Sequence, residues 1–235
     1  MKIKKEHGIS RRGVFSTLTG AAFTVAGVSN SEAQSIEQPS RNSAVNAIIR
    51  HAVSTGEENF IVVSKNPNNP DGQPRLYLVE NGKIINNFVI GVGENQGDSN
   101  DSLTNKATPV GHFNIRIAND RQALTMSGMP VIDFLYSPDG LRGAAIHSTY
   151  LAEFNSRQAK INTQAGSDNL FSNGCINISP ENMRIVLDFV STRRLSLGSN
   201  ILPRLWVAPT DERPQNLNRY LNIPLSGTDL SRNVR

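Results

Sequence analysis

Short apolar runs separated by turn-forming residues make up most of the hydrophobic pattern of this chain. Phe60-Ile61-Val62-Val63 and Leu76-Tyr77-Leu78-Val79 each read as a strand, and residues 83–90 as a third. Asn81-Gly82 joins the second to the third. It is the strongest short hairpin signal, because both turn positions need positive φ. Residues 66–74 are saturated with turn formers. A Gly/Asn/Asp-rich loop is expected over 91–105, then a turn at Thr108-Pro109-Val110-Gly111 and a strand around 113–117. Residues 126–136 are apolar but interrupted by Gly128 and Pro130, which suggests strand and loop. Gly143-Ala144-Ala145-Ile146 leads into His147 as a short buried strand. Residues 155–171 are polar and read as a long surface loop, and 201–207 as a last strand.

Helical periodicity is rarer. Ser179-Pro180-Glu181 is a helix start, with a hydroxyl N-cap, proline in the first turn and an acid at the positive dipole end. Met183, Val186, Leu187 and Val190 follow at i, i+3, i+4 and i+7, a core-facing stripe, and Arg193 and Arg194 suit the C-terminal end. Residues 44–53 can form a short helix. Residues 34–43 read as a loose linker, and the chain turns polar again from Pro209. Many short strands and few helices predict a mainly β domain.

The chain has 235 residues, 37% apolar and 19% charged, enough to bury a core. Its formal net charge is +4, but residues 1–33 hold five basic and two acidic side chains. Without them 19 basic and 18 acidic residues remain, so the folded body is nearly neutral and no nucleic-acid partner is expected.

Those 33 residues read as a signal peptide. A basic stretch precedes the weakly apolar run 14–28, which as a helix spans about 22 Å, short of a bilayer core of ~30 Å. Ser31-Glu32-Ala33 offers small residues at alternate positions for cleavage. Arg11-Arg12, within Ser10-Arg11-Arg12-Gly13-Val14-Phe15, resembles the twin-arginine export signal; a general secretory signal and an uncleaved anchor are the alternatives. Without a cysteine near the cleavage site a lipoprotein is excluded. No later segment is long and apolar enough to span a membrane, so no stable membrane insertion is expected after cleavage.

Cys175 is the only cysteine, so no internal disulfide can form. In an oxidising compartment such a residue is buried and inert, paired between chains, or a reactive thiol. It sits in Ser172-Asn173-Gly174-Cys175-Ile176-Asn177, where glycine permits a tight turn that points sulfur and amides at one space. Only the thiolate is strongly nucleophilic, and an imidazolium nearby lowers a thiol pKa from about 8.5. Of the four histidines, His7 lies in the signal, His51 on the first helix and His112 at a strand start. His147 ends an apolar strand and is the candidate partner. The Gly174 and Cys175 amides can face an oxyanion, and Ser172 can orient the imidazole or bind substrate. Scattered histidines and one cysteine lack zinc-ligand spacing. No G-x-S-x-G element, phosphate loop or dinucleotide fingerprint is present.

Taken together, these stretches resemble the L,D-transpeptidase (YkuD-type) family of bacterial cell-wall enzymes. Thr108-Pro109-Val110-Gly111-His112-Phe113 is similar to the family's T-P-x-G-x-F/Y turn and strand. Ile146-His147-Ser148 is similar to its strand-end histidine, and residues 172–177 to its S/T-H-G-C-x-N signature. The resemblance covers about residues 60–209 and has three departures. Asn173 stands in place of a histidine. Asn177 stands where many members carry arginine, as in an asparagine-bearing subset. The 24 residues between His147 and Ser172 exceed the family's usual length, and the surplus in 155–171 reads as an enlarged lid.

The resemblance implies a β-sandwich or barrel-like catalytic domain over 59–210, after a linker and short helix at 34–58 and before a C-terminal extension at 211–235. It implies a cysteine acyltransferase without cofactor or metal, acting on peptidoglycan stem peptides as donor and acceptor in the periplasm or cell wall. Cys175 would be the nucleophile and His147 the general base, with Ser172 and Gly174 in the catalytic set. Ser148, Tyr150, Asn173 and Asn177 would line the substrate. Carbapenem acylation of Cys175 is expected by the same resemblance. An L,D-carboxypeptidase on the same scaffold and a non-catalytic wall-binding module are the alternatives. The sequence leaves the oligomeric state open.

Overall fold

Asn81 and Gly82 adopt φ of 51° and 75°, closing the expected hairpin between β2 (Arg75–Glu80) and β3 (Lys83–Val89). The protein is described by a computed structural model over residues 42–68, 70, 72–95, 106–119, 128–134, 143–149, 154–163 and 166–222. The expected signal peptide, the 34–41 linker, Tyr150 and residues 223–235 lie outside the described residues.

The hairpin continues into a five-stranded sheet of order β3-β2-β1-β11-β5, in which β1 (Asn59–Ser64) runs parallel to β11 (Arg204–Val207) and β11 antiparallel to β5 (Gly111–Phe113). The unbroken apolar run of β1 follows from burial on both faces. Ile61 and Val63 point into the central core, while Phe60 and Val62 meet a second cluster with Tyr77, Val79 and Trp206.

That second cluster is roofed by two helices. In α1 (Ser43–Ser54), Ala44, Val45, Ile48, Ile49 and Ala52 are buried, and Asn42 Oδ1 caps the first turn by accepting from Ala44 N at 2.9 Å. Near the C-terminus, Leu217 and Tyr220 bury in the same cluster, and Tyr220 donates its hydroxyl to Gly111 O at 2.7 Å. Residues 44–53 and the start of the 211–235 extension are therefore packed on the sheet. Ser64 Oγ and Asn42 Nδ2 both donate to Glu212, tying the two ends together.

A second sheet has the order β10-β8-β7-β6, with β10 (Ile176–Ile178) parallel to β8 (Ala145–Ser148) and antiparallel pairing through β7 (Val131–Asp133) to β6 (Arg116–Ala118). The single strand expected around 113–117 is two. β5 ends in the first sheet at Phe113 and β6 begins in the second at Arg116, so the chain changes sheets at Asn114-Ile115. Ile132, Ile146, Ile176 and Ile178 face inward against Ile61, Val63, Leu76 and Leu78. The result is a sandwich, mainly β with a few short helices.

The helix expected from Ser179 forms over Pro180–Thr192, and Ser179 Oγ accepts from Asn182 N at 3.2 Å. Its core stripe is Met183, Val186, Phe189 and Val190, with Leu187 only partly buried. The last strand begins at Arg204 rather than 201, and Ile201 is exposed.

The long surface loop expected over 155–171 is largely ordered structure. It contains α2 (Phe154–Asn162), a 3-10 turn (Gly166–Asn169) and the start of β9 (Leu170–Ser172), which pairs with β4 (Val92–Gly93). Ile161 is the one buried apolar side chain described in α2, so the helix has no apolar stripe for periodicity to register.

Candidate active site

The site is set by the parallel register of β8 and β10. Ile146 pairs with Ile176 and His147 with Asn177. Side chains alternate along a strand, so with the three isoleucines turned into the core, His147 and Asn177 face the other way. Cys175, one residue before β10, falls on that same outer face and packs against Ala118, Val131 and Ala145. Diagonal neighbours on adjacent strands have their Cβ atoms about 7–8 Å apart, within reach of an imidazole. The fold thus brings Cys175 and His147 to one face from positions 28 residues apart in the chain.

The turn before Cys175 is built by Ser172. Its hydroxyl donates to the Cys175 carbonyl at 2.5 Å and accepts from the Gly174 amide at 3.2 Å, with Gly174 at φ 100°. The Ser172 hydroxyl thus holds the turn before Cys175. The Gly174 amide is engaged by that hydroxyl, so of the two amides considered for an oxyanion, this one already has an acceptor. Asn173 is exposed at the turn's tip, while Cys175 is half-buried and forms no disulfide.

The imidazole is oriented by the backbone. His147 is 2% exposed, and its Nδ1 lies 2.7 Å from the carbonyl oxygen of Ser148. A carbonyl only accepts, so Nδ1 carries a proton, and in the neutral form of the ring the lone pair is on Nε2. The Ser148 side chain, expected to contact substrate, is fully buried.

Asn177 is fully buried and joins three elements. Its backbone exchanges two 2.8 Å hydrogen bonds with Gly91, and its Oδ1 accepts from an Arg157 NH1 on α2 at 2.9 Å. The Arg157 guanidinium lies 5.4 Å and the Lys160 ammonium 5.6 Å from the centre of the Phe171 ring. Phe171 packs on Gly91 so closely that a Cβ there would sit 2.1 Å from the ring. Arg157 escaped the sequence reading; the available signal was a pair of basic residues at i, i+3 inside an otherwise polar segment. On the same outer face, buried Asp133 pairs with Arg116 at 2.8 Å.

His112 and His51 lie elsewhere, against the outer cluster of the first sheet. His112 stacks on Trp206 at 3.6 Å, with Nε2 3.1 Å from Glu57 Oε1, and His51 meets the same indole edge-on. Among the described residues no three His, Cys, Asp or Glu are grouped to hold a metal ion, and no helix is long and apolar enough to cross a membrane.

The model of the L,D-transpeptidase catalytic domain (YkuD) matches residues 58–201, well over half the chain. No curated protein matches it. Solved structures similar to it include an L,D-transpeptidase from Xylanimonas cellulosilytica, 16% identical, with a TM-score of 0.35, covering 65% of this chain and 61% of that one. The catalytic domain of the E. faecium L,D-transpeptidase is 16% identical with a TM-score of 0.33, over 65% of this chain and 98% of that one. The helical cell shape determining protein Pgp2 from Campylobacter jejuni is 19% identical with a TM-score of 0.39, over 69% and 56%. The chain therefore spans less than two thirds of the first of these. On the family match over residues 58–201, the chain belongs to the L,D-transpeptidase catalytic domain family.

Proposed function

We propose that this protein is an exported cysteine acyltransferase that cross-links peptidoglycan stem peptides in the periplasm or cell wall. The observation that carries the reading is the shared outer face of Cys175 and His147 on adjacent strands, with the imidazole tautomer set by the Ser148 carbonyl.

In this reading His147 Nε2 takes the thiol proton of Cys175 as sulfur attacks the carbonyl of the third stem residue. The tetrahedral intermediate collapses with loss of the C–N bond. The departing D-alanine amine receives the proton from His147, leaving a thioester. Partial positive charge on the ring is stabilised by the Ser148 carbonyl throughout. An amine of a neighbouring stem then attacks the thioester, passing its proton to His147, and the C–S bond breaks to return the thiolate. One amide is exchanged for another, giving a 3→3 link. General base catalysis of this kind contributes about 10²–10⁴ in rate. The Cys175 amide is the proposed oxyanion donor, and exposed Asn173 lines the substrate cleft. Carbapenems acylate the same sulfur.

The test is incubation of the purified chain with tetrapeptide muropeptides. Dimers linked through their third residues support transfer, and tripeptides alone assign water as the acceptor, an L,D-carboxypeptidase. Unchanged tetrapeptides, with no mass adduct on Cys175 after meropenem, leave a wall-binding module.

A further inference from the structure

Among the described residues three large apolar side chains are exposed, Leu197 at 93%, Ile201 at 52% and Val53 at 45%, and all three lie at one end of the first sheet. Glu58, just before β1, connects them. Its carboxylate accepts from the Leu197 amide at 2.7 Å, its own amide donates to Leu195 O at 2.8 Å, and its carbonyl accepts from Asn81 N at 2.6 Å. The Asn81-Gly82 turn lies against Val53, whose Cγ2 would be 3.2 Å from a Cβ on Gly82. Leu195 N donates to Ile201 O at 2.9 Å and closes the loop that carries Leu197, with Gly198 at φ 78° turning the chain after it. Single exposed apolar residues are ordinary, but three gathered at one end of a domain mark a contact surface.

Charge around this surface is unbalanced. Arg50, Lys83 and Arg194 are exposed and Arg193 is half-buried, against two half-buried acids, Glu58 and Glu80. Glu80 is taken by Arg193 at 2.7 Å and Glu58 by the Leu197 amide. Arg50, one helical turn before Val53, and Lys83, next to Gly82, have no ion-pair partner among the described residues. Arg194 donates only to the Ser191 and Arg193 carbonyls.

The size and shape of the surface choose its occupant. The three side chains offer about 300 Å² of apolar surface at most, well short of the ~1,200 Å² that a stable protein interface buries. Leu197 stands at a protruding loop tip, for which a rigid partner would need a matching pocket, whereas lipid deforms around it. A small apolar tip ringed by Lys and Arg supplies the two signals that together hold a protein on an anionic leaflet.

We propose that this end of the domain docks reversibly on an anionic lipid bilayer, with Leu197 and Ile201 entering the interface and Arg50, Lys83 and Arg194 meeting lipid phosphates. The inference goes beyond the acyl-transfer reading and stands without it. Joined to that reading, it also sets an orientation. β3 starts at Lys83 beside the patch and runs seven residues, roughly 20 Å, to Val89. Gly91, just beyond, exchanges its hydrogen bonds with Asn177 at the candidate site. Docking at the 195–201 loop therefore holds the site at the end far from the lipid.

The experiment is co-sedimentation with vesicles of phosphatidylcholine alone or mixed equally with phosphatidylglycerol. It uses the full chain and the compact unit Gln34–Arg235, which holds every element described above. The unit binds the mixed vesicles, binds the neutral ones at least tenfold more weakly, and is released by salt. Leu197→Glu with Ile201→Glu lowers the partition tenfold or more. Arg50→Gln with Lys83→Gln lowers it about tenfold on mixed vesicles alone. Both pairs are exposed, so melting temperatures stay at the wild-type value. No binding of Gln34–Arg235 to mixed vesicles overturns the proposal, as does equal binding by the glutamate variant. Binding by the full chain alone places the affinity in the first 33 residues and also overturns it. A dimer in sedimentation velocity that Leu197→Glu dissolves assigns the patch to a second copy of the chain and overturns it as well.

Discussion

His147 Nδ1 and the Ser148 carbonyl oxygen are 2.7 Å apart, so the imidazole is aimed by the peptide group of the next residue. A backbone acceptor survives side-chain substitution, which separates two variants. His147→Gln removes the proposed general base and is expected to slow acylation of Cys175 by about 10²–10⁴. Ser148→Ala keeps the orienting carbonyl; it loses a buried hydroxyl at a stability cost of about 1 kcal/mol and keeps most of its acylation rate. Intact mass against time with meropenem reads both. A Ser148→Ala loss as large as that of His147→Gln, in a folded protein, refutes backbone orientation.

Ser172 holds the turn before Cys175 through two hydrogen bonds, to the Cys175 carbonyl and from the Gly174 amide. Ser172→Ala strands both backbone groups, one of them on buried Gly174. The expected cost is about 1–3 kcal/mol of stability, with slower acylation because the sulfur is no longer held in one geometry. Ser172→Thr keeps the hydroxyl and recovers most of both. Thermal melting and acylation rate are measured side by side, and an alanine variant matching wild type in both refutes the role.

The first hairpin and the helix after Ser179 were legible because their signals are local. Asn81-Gly82 fixes a hairpin with its own dihedral preferences, and Ser179-Pro180-Glu181 fixes a helix start. What failed was whatever depended on a distant partner. Phe113 and Ile115 are both buried and alternate as one strand would, yet the backbone between them passes from one sheet to the other. The helix over 43–54 buries Ala44, Val45, Ile48, Ile49 and Ala52, a short stripe whose partner, the outer face of the first sheet, is formed by residues distant in the chain. In the site, Cys175 and His147 stood out by residue type and flanks. The hydrogen bonds of Ser172 and the burial of Ser148 could not be read, since a serine near a cysteine and a histidine suits several tasks. Arg157 was invisible because its meaning lies in Asn177, twenty residues on.

Gly91 is where that distant packing can be tested. A Cβ at this position meets the Phe171 ring at 2.1 Å, and the ring also carries Arg157 and Lys160. Gly91→Ala displaces the ring and destabilises by about 1–3 kcal/mol, the usual range for overpacking. Because the obstacle is a side chain, Gly91→Ala with Phe171→Leu regains part of the loss. Melting temperatures of the single and double variants provide the readout; a double variant less stable than both singles shows that the clash is not with the ring.

The buried Glu57–His112 pair gives the fold a pH dependence of defined sign. Burial favours the neutral imidazole and outweighs the attraction of Glu57, so His112 titrates below its ordinary 6.5. At neutral pH its contact with Glu57 is therefore not an ion pair, and the carboxylate's charge is met by Arg204 at 3.0 Å, with Trp206 donating at 2.9 Å. Burial also works against the Glu57 charge, but the contacts from His112 and Trp206 and the nearby positive charge hold it below its ordinary 4.5. Both shifts mean that the unfolded chain binds more protons than the folded one on the acid side. Stability is thus lost as pH falls from 6.5 towards the folded value of His112, and again from 4.5 towards that of Glu57. His112→Phe keeps the ring stacked on Trp206 and removes the upper titration, so its melting temperature stays flat where that of wild type starts to drop. Melting curves between pH 8 and 4 measure this, and an identical decline in both proteins below 6.5 assigns the acid sensitivity to other groups.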